Sequence, residues 1–266
     1  MDTKTLVIGH GEVGKGLESV LKKHYVVDIH DPSINKKANG KYEVINICIP
    51  WSDEFDDHIL GYIKQFDTKL CIIHSTVSPK TTLLDNPQVV FSPIRGKHPD
   101  LAKGILEFTK LVGGVDEYAV DFAERFFMNA WIKTYSCNAS EAIFAKLLDT
   151  TYYGVCIAFA KACRMICSEY DLDYDVVYTH FNESYNEGYK KLGLDHVIRP
   201  VLDPPDDQGV GGHCVFQNAE LLHEIGMSGF FDSILAIGKR DGNEIQDFRS
   251  SGAYERFKFF NKKSND

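Results

Sequence analysis

Six residues near the N-terminus restrict the fold more than any other stretch: Gly9-His10-Gly11-Glu12-Val13-Gly14. They follow a short apolar run, Thr5 to Ile8, that reads as a strand, and they open a helical pattern from Lys15 to Lys23. In a G-x-G-x-x-G turn between strand and helix each glycine has its own task. Gly9 allows the tight turn, Gly11 lets backbone touch a pyrophosphate, and Gly14 lets helix and strand pack closely. Glu12 and Val13 then enter through their backbone amides, at the helix N-terminus where an anion is favoured.

The flanking residues support this reading. Leu17, Val20 and Leu21 recur at helical spacing, as a face packed on a sheet requires. Tyr25 to Asp31 reads as a second strand that ends in an acid, where dinucleotide-binding folds hold ribose hydroxyls. Asp31 is preferred to Asp28 because it closes the strand just before the turn at Pro32-Ser33. A carboxylate there accepts bonds from hydroxyls and repels a 2′-phosphate, and no arginine follows it, so the expected cofactor is NAD rather than NADP.

Further on, Glu43 to Pro50 and Lys69 to His74 are apolar runs of strand length, with helical spacing from Asp53 to Phe66 between them. Strand-like and helical stretches alternate again through Val89-Val90-Phe91 and Leu111-Val112-Gly113, which predicts an α/β, doubly wound Rossmann-type sheet. Pro50, Ser75 and Thr76 fall at strand carboxyl ends, the ligand side of such sheets. From about Ser140 the pattern changes: Glu141 to Tyr170 lacks proline and predicts one long helix, followed by another from Tyr174 to Tyr185. The expected division is therefore a dinucleotide-binding domain, 1–138, and a mainly helical substrate and dimerisation domain, 139–266. The apolar face of the long helix exceeds what one Rossmann face can cover, which predicts a homodimer.

Composition narrows the partners. Net charge is −9 and the basic residues form no stripe, which argues against nucleic acid and anionic membrane and for a small-molecule substrate. The sequence shows no charged-then-apolar leader and no stretch read as membrane-spanning. Seven cysteines without paired spacing predict a reduced, cytoplasmic protein, and no metal-ligand pattern stands out.

The last informative stretch is Gly209-Val210-Gly211-Gly212-His213-Cys214, at the end of a loop rich in Pro, Asp and Gly from Arg199 to Gly212. Together with the glycine turn, Ile47-Cys48-Ile49-Pro50, Ser75-Thr76-Val77 and the helix carrying Lys146, it resembles the UDP-glucose/GDP-mannose dehydrogenase family in order and approximate spacing. The resemblance covers nearly the whole chain. It implies NAD-dependent oxidation of a sugar alcohol to an acid through a thiohemiacetal and thioester on Cys214. By the same likeness Lys146 steadies oxyanion charge or shuttles a proton, and Thr76 helps place water. Thr150, four residues after Lys146, shares its helix face.

Three positions depart from the family. Ile94 stands where a Glu usually follows Ser-Pro, Thr150 where an Asn follows the lysine, and Phe216-Gln217-Asn218 where Pro-Lys-Asp follows the cysteine. Neither an isoleucine nor Asn218 is a base at neutral pH, so activation of water for thioester hydrolysis is weakened. The resemblance also ends near the point where the family begins a third, nucleotide-gripping domain, which implies a shortened member acting on a small polar alcohol, aldehyde or sugar derivative. Two alternatives stay open: a single-hydride hydroxyacid-type dehydrogenase using Lys146, and a catalytically inactive NAD-binding sensor or scaffold.

Overall fold

The computed structural model describes residues 4–96, 100–203 and 213–226. The chain divides into two compact units, Met1–Lys146 and Leu147–Asp266, and the division falls inside the long helix rather than at residue 139.

The first unit is built on a seven-stranded sheet. Its strands are β1 (Lys4–Ile8), β2 (Val26–His30), β3 (Val44–Ile47), β4 (Leu70–Ile73), β5 (Val89–Phe91), β6 (Lys110–Gly114) and β7 (Thr134–Cys137), in the order β2-β1-β3-β4-β5-β6-β7. The strands from β1 to β5 pair in parallel, β6 runs antiparallel to β5, and β7 is parallel to β6. Every residue of β3, β4 and β5 is buried, the condition of parallel strands covered on both faces, and their near-continuous apolar runs reflect it. β7 escapes a reading of apolar runs because Thr134-Tyr135-Ser136-Cys137 forms a polar edge strand with an exposed middle.

Helix α1 (Glu12–Leu21) turns Gly14, Leu17, Val20 and Leu21 inward. It starts at Glu12 rather than Lys15 because Gly11 is already its N-cap, so half of the glycine turn is helix. Helix α2 (Phe55–Gln65) lies within the stretch expected to be helical; α3 (Leu101–Glu107) and α4 (Glu117–Asn129) complete the cover. Asp116 caps α4 by accepting from the Ala119 amide at 2.8 Å. Tyr25 stacks on Phe126 with centroids 4.5 Å apart and donates to its carbonyl at 2.7 Å, which ties the entry of β2 to α4.

Helix α5 (Ala139–Glu169) is 31 residues long. Its start is fixed by a reciprocal capping box: Asn138 Oδ1 accepts from the Glu141 amide at 2.8 Å, and Glu141 Oε2 accepts from the Asn138 amide at 2.9 Å. By length and composition alone α5 is apolar enough to cross a membrane, which corrects the expectation that no stretch reaches that length. In the second unit, the helix expected from Tyr174 to Tyr185 is instead a π-helical turn, Asp175–His180, running into α6 (Phe181–Lys191). Asp173 starts it by accepting from the Asp175 amide at 2.9 Å, and Gly193, at φ +70°, ends it. Helix α7 (His213–Glu224) is the last described element.

Candidate active site

The strand order reverses between β1 and β3, and the crevice outside their carboxyl ends is where doubly wound sheets hold ligands. The glycine turn sits there. Gly9 has φ +87°, and a Cβ on it would lie 2.6 Å from the Cys48 carbonyl oxygen, so only glycine fits between β1 and β3. A Cβ on Gly14 would meet the Gly9 carbonyl oxygen at 2.0 Å. Gly11 is different: a Cβ there would meet nothing within 4 Å, and as N-cap of α1 it offers no side chain to the first-turn amides. Crowded glycines below and an open one above leave the N-terminus of α1 approachable by an outside acceptor. This arrangement fits a pyrophosphate.

Asp31 follows β2 beside this turn. Its Oδ2 accepts from the His10 amide at 2.8 Å, and its Oδ1 accepts from the Ser33 amide at 3.0 Å and the Ser33 hydroxyl at 2.6 Å. Hydrogen bonds from the Ser33 side chain and the His10 backbone hold its carboxyl below the usual carboxylate range. It is a fixed anion bonded to the glycine turn, which suits ribose hydroxyls. Asp28 is engaged otherwise, with Lys4 Nζ at 2.7 Å and the Tyr42 hydroxyl at 2.5 Å. His10 adds a tie within the turn, its Nε2 lying 2.7 Å from Glu18 Oε2 of α1.

Past β3 and β4 the chain lines the same edge. Pro50 is exposed, and Ser75 Oγ donates to the Ile49 carbonyl at 2.5 Å, joining the two strand ends. Ser75, Thr76, Val77, Phe91, Pro93, Ile143 and Lys146 line a pocket of about 190 Å³, counted with the solvent at its mouth. Thr76 and Lys146, far apart in sequence, are thus brought together. Ile94 is not on that wall; it is buried in the core. Thr150 lies one turn beyond Lys146 on α5, in the second unit.

Cys214 is the second residue of α7, half-buried and outside any disulfide, and Asn218 follows it by one turn, fully buried. Val215, Ala219 and Leu222, all buried, carry the helical spacing that marks α7 in the sequence. The glycine pair 211–212 lies outside the described residues.

Three buried polar residues of the first unit were not singled out from sequence. Asn46, within β3, donates from Nδ2 to Thr5 Oγ1 at 2.9 Å and to the Leu6 carbonyl at 3.2 Å, and its Oδ1 lies 3.0 Å from His74 Nε2. The imidazole therefore carries its proton on Nε2. Burial, reinforced by the charge of Lys110, pushes the His74 pKa well below the ordinary histidine value, so the ring is neutral. Lys110 opens β6 and is buried; its Nζ donates to the Ser92 carbonyl and, at 3.3 Å, to the Pro93 carbonyl, 5.4 Å from the centre of the Phe127 ring. Burial pushes the Lys110 pKa down to about 7; the Cys48 thiol opposes this, while Lys146 and Arg95 add to it. In the sequence it only heads the apolar run Leu111-Val112, a place that a solvated lysine takes as readily.

A parallel sheet reversing at a glycine turn is a Rossmann-like fold, and solved structures of dehydrogenases share the fold of this chain. The UDP-D-ManNAc dehydrogenase of Pyrococcus horikoshii superposes with a TM-score of 0.67 at 18% identity, over 97% of this chain and 72% of its own. The 3-hydroxyisobutyrate dehydrogenase of Mycobacterium tuberculosis does so with a TM-score of 0.62 at 16% identity, over 94% of this chain and all of its own. Among curated proteins the chain is similar to the UDP-N-acetyl-D-mannosamine dehydrogenase of Methanococcus maripaludis, 25% identical over 271 residues, 80% of this chain. The match spans 59% of that relative's length. No family model matches the chain.

Proposed function

We propose that the chain is an NAD-dependent dehydrogenase of the nucleotide-sugar type, oxidising a CH–OH group of a sugar, with a UDP-linked sugar as the first candidate. The observation that carries this reading is the pocket that unites Thr76 and Lys146 at the strand edge shared with the glycine turn. The named relatives supply the substrate class. Bound NAD would accept a hydride from the carbinol carbon. The glycine turn would hold the pyrophosphate on the amides of α1, and Asp31 would accept hydroxyls of the adenosine ribose.

Lys146 takes the position from which an ammonium steadies oxyanion charge on the substrate, and Thr76 orients the hydroxyl or water beside it. In the four-electron version, the Cys214 thiol adds to the aldehyde from the first oxidation, forming a C–S bond as the carbonyl oxygen gains a proton. Transfer of a second hydride from that carbon to a second NAD, with the hydroxyl proton released, would give a thioester, from which water would release the acid and restore the thiol. Because Ile94 is buried in the core and Asn218 is an amide, this last step lacks a carboxylate base in both places, and release is slow. A cytoplasmic setting agrees with the cysteines, none of which is in a disulfide.

A second reading is favoured by the same burial of Ile94: a single hydride transfer with Lys146 as acid and base and no role for Cys214. Thermal stabilisation by NAD, then NADH production from UDP-sugars, simple sugars and small hydroxyacids, tests the proposal. Two NADH per substrate supports the covalent route and one supports the single-hydride route. NAD stabilisation without turnover of any of these would leave an inactive dinucleotide-binding protein.

A further inference from the structure

The Ser92-Pro93 corner after β5 is tied on two sides. The Ser92 amide donates to the Ile73 carbonyl at 2.8 Å and the Ile94 amide to the His74 carbonyl at 3.4 Å, both toward β4. Toward β6, Ser92 Oγ donates to the Leu111 carbonyl at 2.6 Å, and both carbonyls of the corner accept from Lys110. Pro93 also forms part of the wall around Thr76 and Lys146. We propose that Lys110 is a positioning residue, an ionisable clamp that sets where the Pro93 wall stands in the pocket and grips it more firmly when the amine carries a proton.

The chemistry follows from what surrounds the amine. A charged N–H holds a carbonyl about twice as strongly as a neutral one. Facing Lys110 are the Cys48 thiol after β3, the neutral His74 ring after β4, Arg95 after β5 and Lys146 on α5. Burial, Lys146 and Arg95 disfavour the proton, so the clamp changes state near neutral pH rather than in the range of ordinary lysines. The Lys146 charge is the link to the pocket. An anionic group seated against Lys146, or a substitution that removes its charge, lets Lys110 keep its proton and draws the corner tighter. The clamp's role in catalysis rests on the dehydrogenase reading above, whereas its existence does not.

Hydrogen exchange on the whole chain, read by mass spectrometry without cofactor or substrate, tests the clamp from about pH 6 to about pH 9, with rates corrected for hydroxide catalysis. Protection of the Ser92 and Ile94 amides against local opening of the corner, in which the amine stays buried but loses its carbonyls, is expected to fall about tenfold as pH rises through the Lys110 transition, the loss of a charge-assisted bond. Amides that exchange only by global unfolding gain protection over the same range. Lys146→Met is expected to move that midpoint upward. Lys110→Met is expected to show weak protection at every pH while the α1 amides stay protected. A lysine with only a packing role would give no midpoint. Protection of Ser92 and Ile94 independent of pH in the unsubstituted chain, or an unmoved midpoint in Lys146→Met, overturns the proposal, even if Lys110→Met fails to fold. Failure of every sugar substrate would leave these readouts unchanged, so the two readings fail separately.

Discussion

At the scale of single residues, the informative side chains are those whose partners are already assigned. Asp31 is bonded to the amide of His10, so its carboxylate serves the turn as well as the ribose proposed for it. Asp31→Ala is expected to weaken NADH binding by about tenfold or more, the worth of a charged hydrogen bond, and to narrow the margin over NADPH. Fluorescence titration with both cofactors checks this, and unchanged affinities would remove Asp31 from the site. Asp31 was preferred to Asp28 in the sequence because a residue that closes a strand faces the ligand edge; it stands just past β2, whereas Asp28 within β2 is engaged by Lys4 and Tyr42. Lys110 was not legible, since nothing local tells a buried strand lysine from a solvated one. Its pKa, about 7 when folded against 10.5 ordinarily, has a second consequence. Between those values the unfolded chain holds a proton that the folded chain has released. Stability therefore rises with pH across that window, by up to about 1.4 kcal/mol per pH unit, and below it the cost of the buried charge is fully present. Urea melts of Lys110→Met should lack this component of the slope; an identical slope would mean that the amine stays charged in the folded state.

At the scale of elements, the strands were readable because a parallel strand covered on both faces has to be apolar throughout. The edge strand β7 and the π-helical turn were not, one being polar and the other depending on backbone bonding that leaves no periodic trace. α7 was hidden by the glycine-rich residues before it, although Val215, Ala219 and Leu222 carried its spacing. A cysteine in the first turn of a helix lies near the positive end of the helix dipole, where charge developing on an adjacent oxygen is favoured. Cys214→Ser is accordingly expected to abolish four-electron oxidation while leaving NAD affinity within about twofold, as the glycine turn is untouched. Mass spectrometry of the unsubstituted chain with NAD and a turned-over sugar should find an acyl adduct on Cys214. Full turnover by Cys214→Ala would leave the single-hydride route.

At the scale of the molecule, the second unit carries exposed apolar side chains along α5, Tyr152, Tyr153, Phe159 and Ile166 among them, with Phe159 62% exposed. Such a surface on a single chain supports the homodimer expected from the helix pattern. Sedimentation should give a dimer at micromolar concentration, and Phe159→Glu should weaken it by about tenfold or more by placing a charge in an apolar contact. A monomer that keeps its stability on dilution would count against it. The sheet of the first unit holds one more consequence, in the reversed strand β6. Residues Val90 and Phe91 pair with Gly114 and Gly113, so the antiparallel run carries the beginning of β6, not its end, out to the edge where the glycine turn lies. Had β6 kept the direction of β5, Lys110 would stand on the far side of the sheet. The inversion also brings the connection between α3 and β6 beside the Pro93 corner, where Phe108 and Thr109 line a hollow with Pro93 and Lys110, so an exchange there would reshape that wall while every parallel strand kept its register.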